Sequence, residues 1–234
     1  MQNTQQHLAE QDWNQSRLSD EVRTPAMKLW QYDQPAVVLG RSQHAMLTAN
    51  PALSQAGIDI VLRHAGGGAV LVGPWMLSAS VVLPASHPLV TPSTARSYQW
   101  IGDLYASVLA AAGVKTHVLS PEEAHAWKQE NRASSVEWAC FGGLSPGELV
   151  VDDRKIVGFA QVRKRNGILL VAGILLTNTD WPLLCSVMGK PEEDAATLAR
   201  CTISCAEQLG RELSVTDLAA SLGAALEEAI HAGE

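Results

Sequence analysis

At 234 residues and 47% hydrophobic content the chain is long enough to bury one sizeable core, and its net charge of -7 argues against a general nucleic-acid binder. No apolar run approaches the roughly 18 residues of a membrane span, and residues 1–20 are polar and lack the apolar core of a signal peptide, so a cytoplasmic protein is expected. Four cysteines, Cys140, Cys185, Cys201 and Cys205, form neither a CxxC pair nor a disulfide framework; reduced thiols and no metal site are expected, although Cys201 and Cys205 could share a helical face.

In chain order, residues 5–18 have helical composition, and residues 27–32 and 36–39 predict two strands with Asp33-Gln34-Pro35 as the turn between them. Gly40-Arg41-Ser42-Gln43 follows. Asn50 as N-cap, Pro51 at the first position and Gly57 as stop predict a short helix over 50–56, leading into a strand over 58–62. Strands over 69–72 and 77–83, separated by Gly73-Pro74, predict a hairpin around the intervening glycines and a second antiparallel partner. Ser93 caps a long helix in which Trp100, Ile101, Leu104, Tyr105, Val108 and Leu109 recur at helical spacing, and Gly113 stops it before a strand over 114–119.

Ser120-Pro121-Glu122-Glu123 carries a capping box and a proline at the first helical position, which predicts a helix to about Gln129. After a polar loop over 131–135, a meander is expected over 148–176, with turns at 152–154 and at Asn166-Gly167. Arg163-Lys164-Arg165 reads as a solvated turn. Helices are then expected over 182–188, 192–209 and 216–230, the last capped by Ser214 with Asp217 three residues on. The whole predicts one α+β domain over residues 1–234, a mixed, largely antiparallel sheet with flanking helices and a helical tail from about residue 182.

Chemistry is expected first at Gly66, Gly67 and Gly68, preceded by Arg63 and His64 and bracketed by apolar segments. Three residues without side chains expose backbone N–H groups that can approach a polar or anionic ligand closely; the alternative is a tight strand-to-strand turn. Lys155 opens an apolar strand and is followed by Gly158, so its charge is aimed inward toward a ligand, with Glu148 placed to neutralise it, or else it guards an exposed strand edge. Either way a strand-end lysine is expected to add little to the core. Cys140 stands in Trp138-Ala139-Cys140-Phe141-Gly142-Gly143, where a thiol near an ammonium group is nucleophilic, or is a buried inert cysteine. P-loop, nucleophile-elbow and dinucleotide-binding motifs are absent from the sequence.

The order of three motifs resembles the lipoate-protein ligase A family, within the fold of biotin ligases and lipoyl or octanoyl transferases. They are Val37-Val38-Leu39-Gly40-Arg41-Ser42-Gln43, then Arg63-His64-Ala65-Gly66-Gly67-Gly68-Ala69-Val70, then Arg154-Lys155-Ile156-Val157-Gly158-Phe159-Ala160-Gln161 with its hairpin. The resemblance implies that Gly66 to Gly68 with Ala69 cradle the activated acyl group and that Arg63 meets its phosphate or carboxylate. It further implies that Lys155 holds the carbonyl where an acceptor lysine attacks, with Gly158, Ala160 and Gly173 beside the substrate. Where the family has a second arginine before the glycines, a histidine after them and a His-Gly pair in the last hairpin strand, this chain has Leu62, Val72 and Ala172-Gly173.

Ala139-Cys140-Phe141 with Glu148-Leu149 is similar to the branch of octanoyltransferases that carries the acyl chain on a cysteine. The resemblance therefore implies transfer of a lipoyl or octanoyl group, through a Cys140 thioester, to a lysine of a lipoyl domain or glycine-cleavage carrier protein, with acyl carrier protein as donor. No tightly bound cofactor, nucleic acid or membrane is expected. The alternatives are an ATP-dependent ligase working through lipoyl-AMP with magnesium, and a non-catalytic binder of lipoyl groups or lipoylated domains.

Overall fold

The computed structural model describes residues 6–18, 21–49, 57–131 and 136–232. The helix expected over 50–56 lies outside them, as does most of the expected loop over 131–135. Helix α1 (Gln6–Arg17) leads to β1 (Ala26–Gln31), β2 (Ala36–Leu39), a 3₁₀ turn over Arg41–Gln43, and a short α2 (Met46–Ala49) that the sequence reading missed. Then come β3 (Asp59–Leu62), β4 (Val70–Val72), β5 (Met76–Pro84), α3 (Thr94–Ala111), β6 (His117–Val118) and α4 (Pro121–Glu130). The chain closes with β7 (Leu149–Val151), β8 (Arg154–Lys164), β9 (Gly167–Leu175), α5 (Trp181–Met188), α6 (Glu192–Cys201), α7 (Cys205–Leu209) and α8 (Val215–His231). No described helix is long and apolar enough to cross a membrane.

The architecture is α+β, with a six-stranded antiparallel sheet in the order β1-β5-β9-β8-β7-β6 and a three-stranded sheet in the order β3-β2-β4. Every residue of β5 is buried, because both faces of the large sheet are covered. On one face Leu77, Ala79, Val81 and Leu83 pack with Ile101, Tyr105 and Leu109 of α3 and with Leu218, Leu222, Leu226 and Ile230 of α8. Their spacing is the one-face stripe that the helical periodicity predicts. The other face turns toward α1 and the small sheet, where Val37, Leu39, Leu71 and Met76 join Trp181, Leu184 and Leu198 in a second core. The site lies between these layers.

The expected caps are in place. Ser93 Oγ accepts from the Arg96 N–H, the Ser120–Glu123 capping box closes both ways, and Ser214 Oγ accepts from the Asp217 N–H. Asp152 and Asp153, at φ 48° and 61°, make the two-residue turn between β7 and β8, a left-handed conformation that aspartate tolerates.

Four expectations are corrected. Strands β3 and β4 do not form a hairpin: β2 lies between them, parallel to β3 and antiparallel to β4, so the glycines cross over the end of β2. The last hairpin turns on Arg165-Asn166, since Lys164 pairs with Gly167; Gly167 sits in the strand, where a Cβ would strike the Leu83 carbonyl. The strand expected over 114–119 shrinks to β6. The helix expected over 192–209 breaks at 202–204, where extended Thr202 bridges to Lys155, Ile203 N–H donates to the Lys155 carbonyl at 3.0 Å, and Ser204 caps α7. Cys201 and Cys205 therefore stand on different helices.

Candidate active site

The 3₁₀ turn after β2 fixes the glycine loop. Arg41 N–H donates to the Ala65 carbonyl at 3.1 Å, Arg63 N–H to the Leu39 carbonyl at 3.0 Å, and Gln43 Nε2 to the Trp138 carbonyl at 2.8 Å. A Cβ at Gly40 would run into the Gly67 carbonyl, and one at Gly68 into the Trp138 carbonyl, so both contacts require glycine. Gly67 has φ +93°. Among the described residues, no acceptor is paired with the N–H of Gly66, Gly67 or Gly68. Arg63, 7% exposed, turns back on the loop and donates from one terminal nitrogen to the Gly66 and Gly68 carbonyls at 3.0 and 2.9 Å. It braces the loop from the carbonyl side.

Buried Ala69 ties this loop to the cysteine. Its N–H donates to the Trp138 carbonyl at 2.8 Å and its carbonyl accepts from the Cys140 N–H at 2.8 Å, forming a short parallel bridge. Lys155, 1% exposed, reaches the same segment from β8. Its three N–H donors meet the Cys140 carbonyl at 2.8 Å and the two Glu148 carboxylate oxygens at 2.9 and 2.8 Å. The Ser145 and Phe159 N–H groups also donate to Glu148, at 2.7 and 3.4 Å. Burial pushes the Glu148 carboxyl above its ordinary range against the pull of Lys155 and these donors.

Half-buried Cys140 stands where two clefts meet. One is floored by small residues of the large sheet, Gly158, Ala160 and Gly173, with Arg63 at its side and Val38, Val70, Val72, Phe141 and Phe159 as apolar walls. A methyl added at Gly158 would fill the space beside Phe141, Glu148 and Lys155, 3.4 to 3.7 Å away. The second cleft is lined by Gly67, Gly68, Cys140, Ser145, Glu148 and Phe159, and Gly66 lines a third opening beside Tyr98 and Glu148. Every residue singled out in the sequence thus lies in or directly under one region, Lys155 and Ala69 beneath its surface.

The sequence reading missed the polar groups at the other end of the first cleft: Glu10 and Asn14 of α1, Tyr32 after β1, and Ser78 of β5. Glu10 reads as one more polar residue of an amphipathic helix, and its burial follows only from where α1 docks. Tyr32 Oη donates to Glu10 Oε2 at 2.7 Å, and burial drives the Glu10 carboxyl up to about 7, against opposing contributions from Tyr32, Arg63 and Asn14. Folded Glu10 holds its proton to higher pH than the unfolded chain does, so stability falls as pH rises from about 4.5 to about 7. At about 1.36 kcal/mol per pH unit the loss is about 3 kcal/mol. Glu10→Gln is expected to flatten that slope in thermal melts at pH 5 and pH 8; equal slopes would remove Glu10 from this role.

With this geometry in hand, the profile of the lipoyl protein ligase A/B catalytic domain matches residues 3–227. The chain belongs to that family. Among curated relatives, octanoyltransferase LipM of Kyrpidia tusciae is 32% identical over 170 residues, covering 72% of this chain and 60% of the relative. Octanoyltransferase LipM of Lysinibacillus sphaericus is 28% identical over 185 residues, covering 79% and 64%. The chain thus spans less than two thirds of these relatives' own length. In fold, this lipoyl ligase A/B domain is similar to lipoate-protein ligase A bound with ATP, at TM-score 0.67 and 18% identity, covering 94% of this chain and 78% of that one. It is also similar to the bipartite lipoate protein ligase of Thermoplasma acidophilum, at TM-score 0.68 and 16% identity, covering 98% and 80%.

Proposed function

We propose that this chain transfers an octanoyl or lipoyl group from a carrier thioester to Cys140 and from there to a specific lysine of a lipoyl domain or glycine-cleavage carrier protein. The observation that carries this reading is the place of Cys140, at the junction of an apolar cleft and a second opening, with its own carbonyl held by buried Lys155. The octanoyltransferase relatives support it. The Cys140 thiolate attacks the thioester carbonyl, and the carrier thiolate departs and takes up a proton. The acceptor lysine amine then attacks the enzyme thioester and loses a proton as the Cys140 thiolate leaves. Each step places negative charge on the carbonyl oxygen. The unpaired Gly66 to Gly68 N–H groups would receive that charge, at about 3 kcal/mol per well-placed donor. Lys155 fixes the cysteine segment and lends its charge, and an acyl oxygen that displaces the Cys140 carbonyl would meet Nζ directly.

The test is to incubate the protein with octanoyl-acyl carrier protein and a lipoyl domain, with and without ATP and magnesium. Modification of the domain without nucleotide is expected. Modification only from free lipoate or octanoate with ATP would make the chain a ligase, and unmodified capture of a lipoylated domain would make it a binder.

A further inference from the structure

We infer that Tyr32 is the stop of the acyl cleft and sets the length of the chain this protein accepts at about eight carbons. The inference deepens the acyl-transfer reading and rests on it for what fills the cleft; the length itself follows from the sheet. Gly158 on β8, Gly173 on β9 and Ser78 on β5 are register partners, so they share one face of the sheet in a row that crosses the strands. Each of them lines the cleft. With no side chain at the two glycines and a small one at Ser78, the row is a trough. A Cβ at Gly158 would stand 3.6 Å from Glu148 Oε1 and 3.7 Å from Lys155 Cδ, so the trough starts at the reacting end.

Its other end is closed. Trp30 of β1 is the next register partner after Ser78 and is buried, with Nε1 donating to Ser80 Oγ at 3.0 Å and its ring edge-on to Trp13 of α1. Tyr32, two residues on, lines the cleft and closes the trough at Ser78 itself. Its hydroxyl is hydrogen-bonded to the Ser78 side chain and donates to Glu10 Oε2 at 2.7 Å, and Asn14 bonds Glu10 in turn. A terminal methyl rests against this satisfied network at little cost, whereas a longer chain has to break buried hydrogen bonds. From Gly158 to Ser78 is two strand spacings, about 10 Å. An extended alkyl chain advances about 1.3 Å per carbon, the zigzag of ~1.5 Å bonds, so about eight carbons fill the trough. Octanoyl and lipoyl groups share that length.

Calorimetry on the whole chain with hexanoate, octanoate, decanoate and dodecanoate reads the stop without any transfer. Burial alone tightens binding about fourfold per added methylene, so an open-ended cleft favours the longest chain. Expected instead is a rise to octanoate and a fall of at least about tenfold from octanoate to decanoate, the scale on which a closed pocket rejects an added methylene. Tyr32→Ala removes the wall and is expected to bring decanoate at least to the affinity of octanoate. Ser78→Val narrows the last position and is expected to cost octanoate about tenfold and hexanoate little. Melting curves show which variants fold; should Tyr32→Ala not fold, Ser78→Val and the wild-type series decide. Decanoate binding the wild-type chain as tightly as octanoate or tighter, a cut-off that the folded variants leave unmoved, or no binding of any acid overturns the stop. The same acids as carrier thioesters separate the two readings. A cut-off in binding without transfer of any chain keeps the stop and sinks the transferase, whereas transfer of octanoyl and dodecanoyl chains at similar rates does the reverse.

Discussion

Lys155→Ala is expected to lower acyl transfer by about a hundredfold or more and to destabilise the fold by about 3 to 5 kcal/mol. The stability loss contradicts the expectation for a strand-end lysine, and its cause is visible. Nζ is buried and meets both oxygens of a carboxylate that is itself 3% exposed, so removing it strands Glu148 without its counter-charge. The Cys140 carbonyl loses its donor at the same time. Lys155→Arg is also expected to fail, because a planar guanidinium does not fit where a compact ammonium holds three acceptors. The double variant Lys155→Met with Glu148→Leu separates the two effects: replacing a buried pair by apolar residues of similar size restores most of the stability while transfer stays low. Denaturant titration and a transfer assay on the same samples measure both. Full activity in the refolded double variant would remove Lys155 from the reaction.

Cys140→Ser is expected to reduce transfer by about a thousandfold or more with a stability change within about 0.5 kcal/mol. The segment is held through its backbone, the N–H donating to Ala69 and the carbonyl accepting from Lys155, and serine keeps both. What changes is the nucleophile, from a polarisable sulfur to a much weaker hydroxyl oxygen. Matched melting curves and transfer rates check this; comparable rates in the two proteins would make Cys140 a packing residue.

The two periodicities made most of the fold legible. The capping box at Ser120, the N-cap at Ser214 and the four-residue stripe of α8 gave helices close to their observed bounds, because those signals act within one or two turns. What failed was partnership between elements. Nothing local to β3 and β4 tells that β2 will lie between them, and the break at Thr202 arises only because β8 offers its edge at Lys155. In the site, Gly66 to Gly68, Arg63, Lys155 and Cys140 stood out by residue type in context. Arg63, however, faces the loop carbonyls, and Glu10 and Asn14 reach the cleft only through the docking of α1. Such residues look like ordinary polar positions until tertiary contact selects them.

Intact mass spectrometry after mixing the protein with octanoyl-acyl carrier protein alone, without acceptor, tests the thioester most directly. One octanoyl group is expected on the wild-type chain, released by hydroxylamine and absent from Cys140→Ser. Cys185, Cys201 and Cys205 should stay unmodified, since burial drives the Cys185 and Cys205 thiols up to about 11 and about 12 and raises that of Cys201. Transfer to the lipoyl domain at full rate with no adduct on the enzyme, or an adduct that persists in Cys140→Ser, would contradict a mechanism that passes through Cys140.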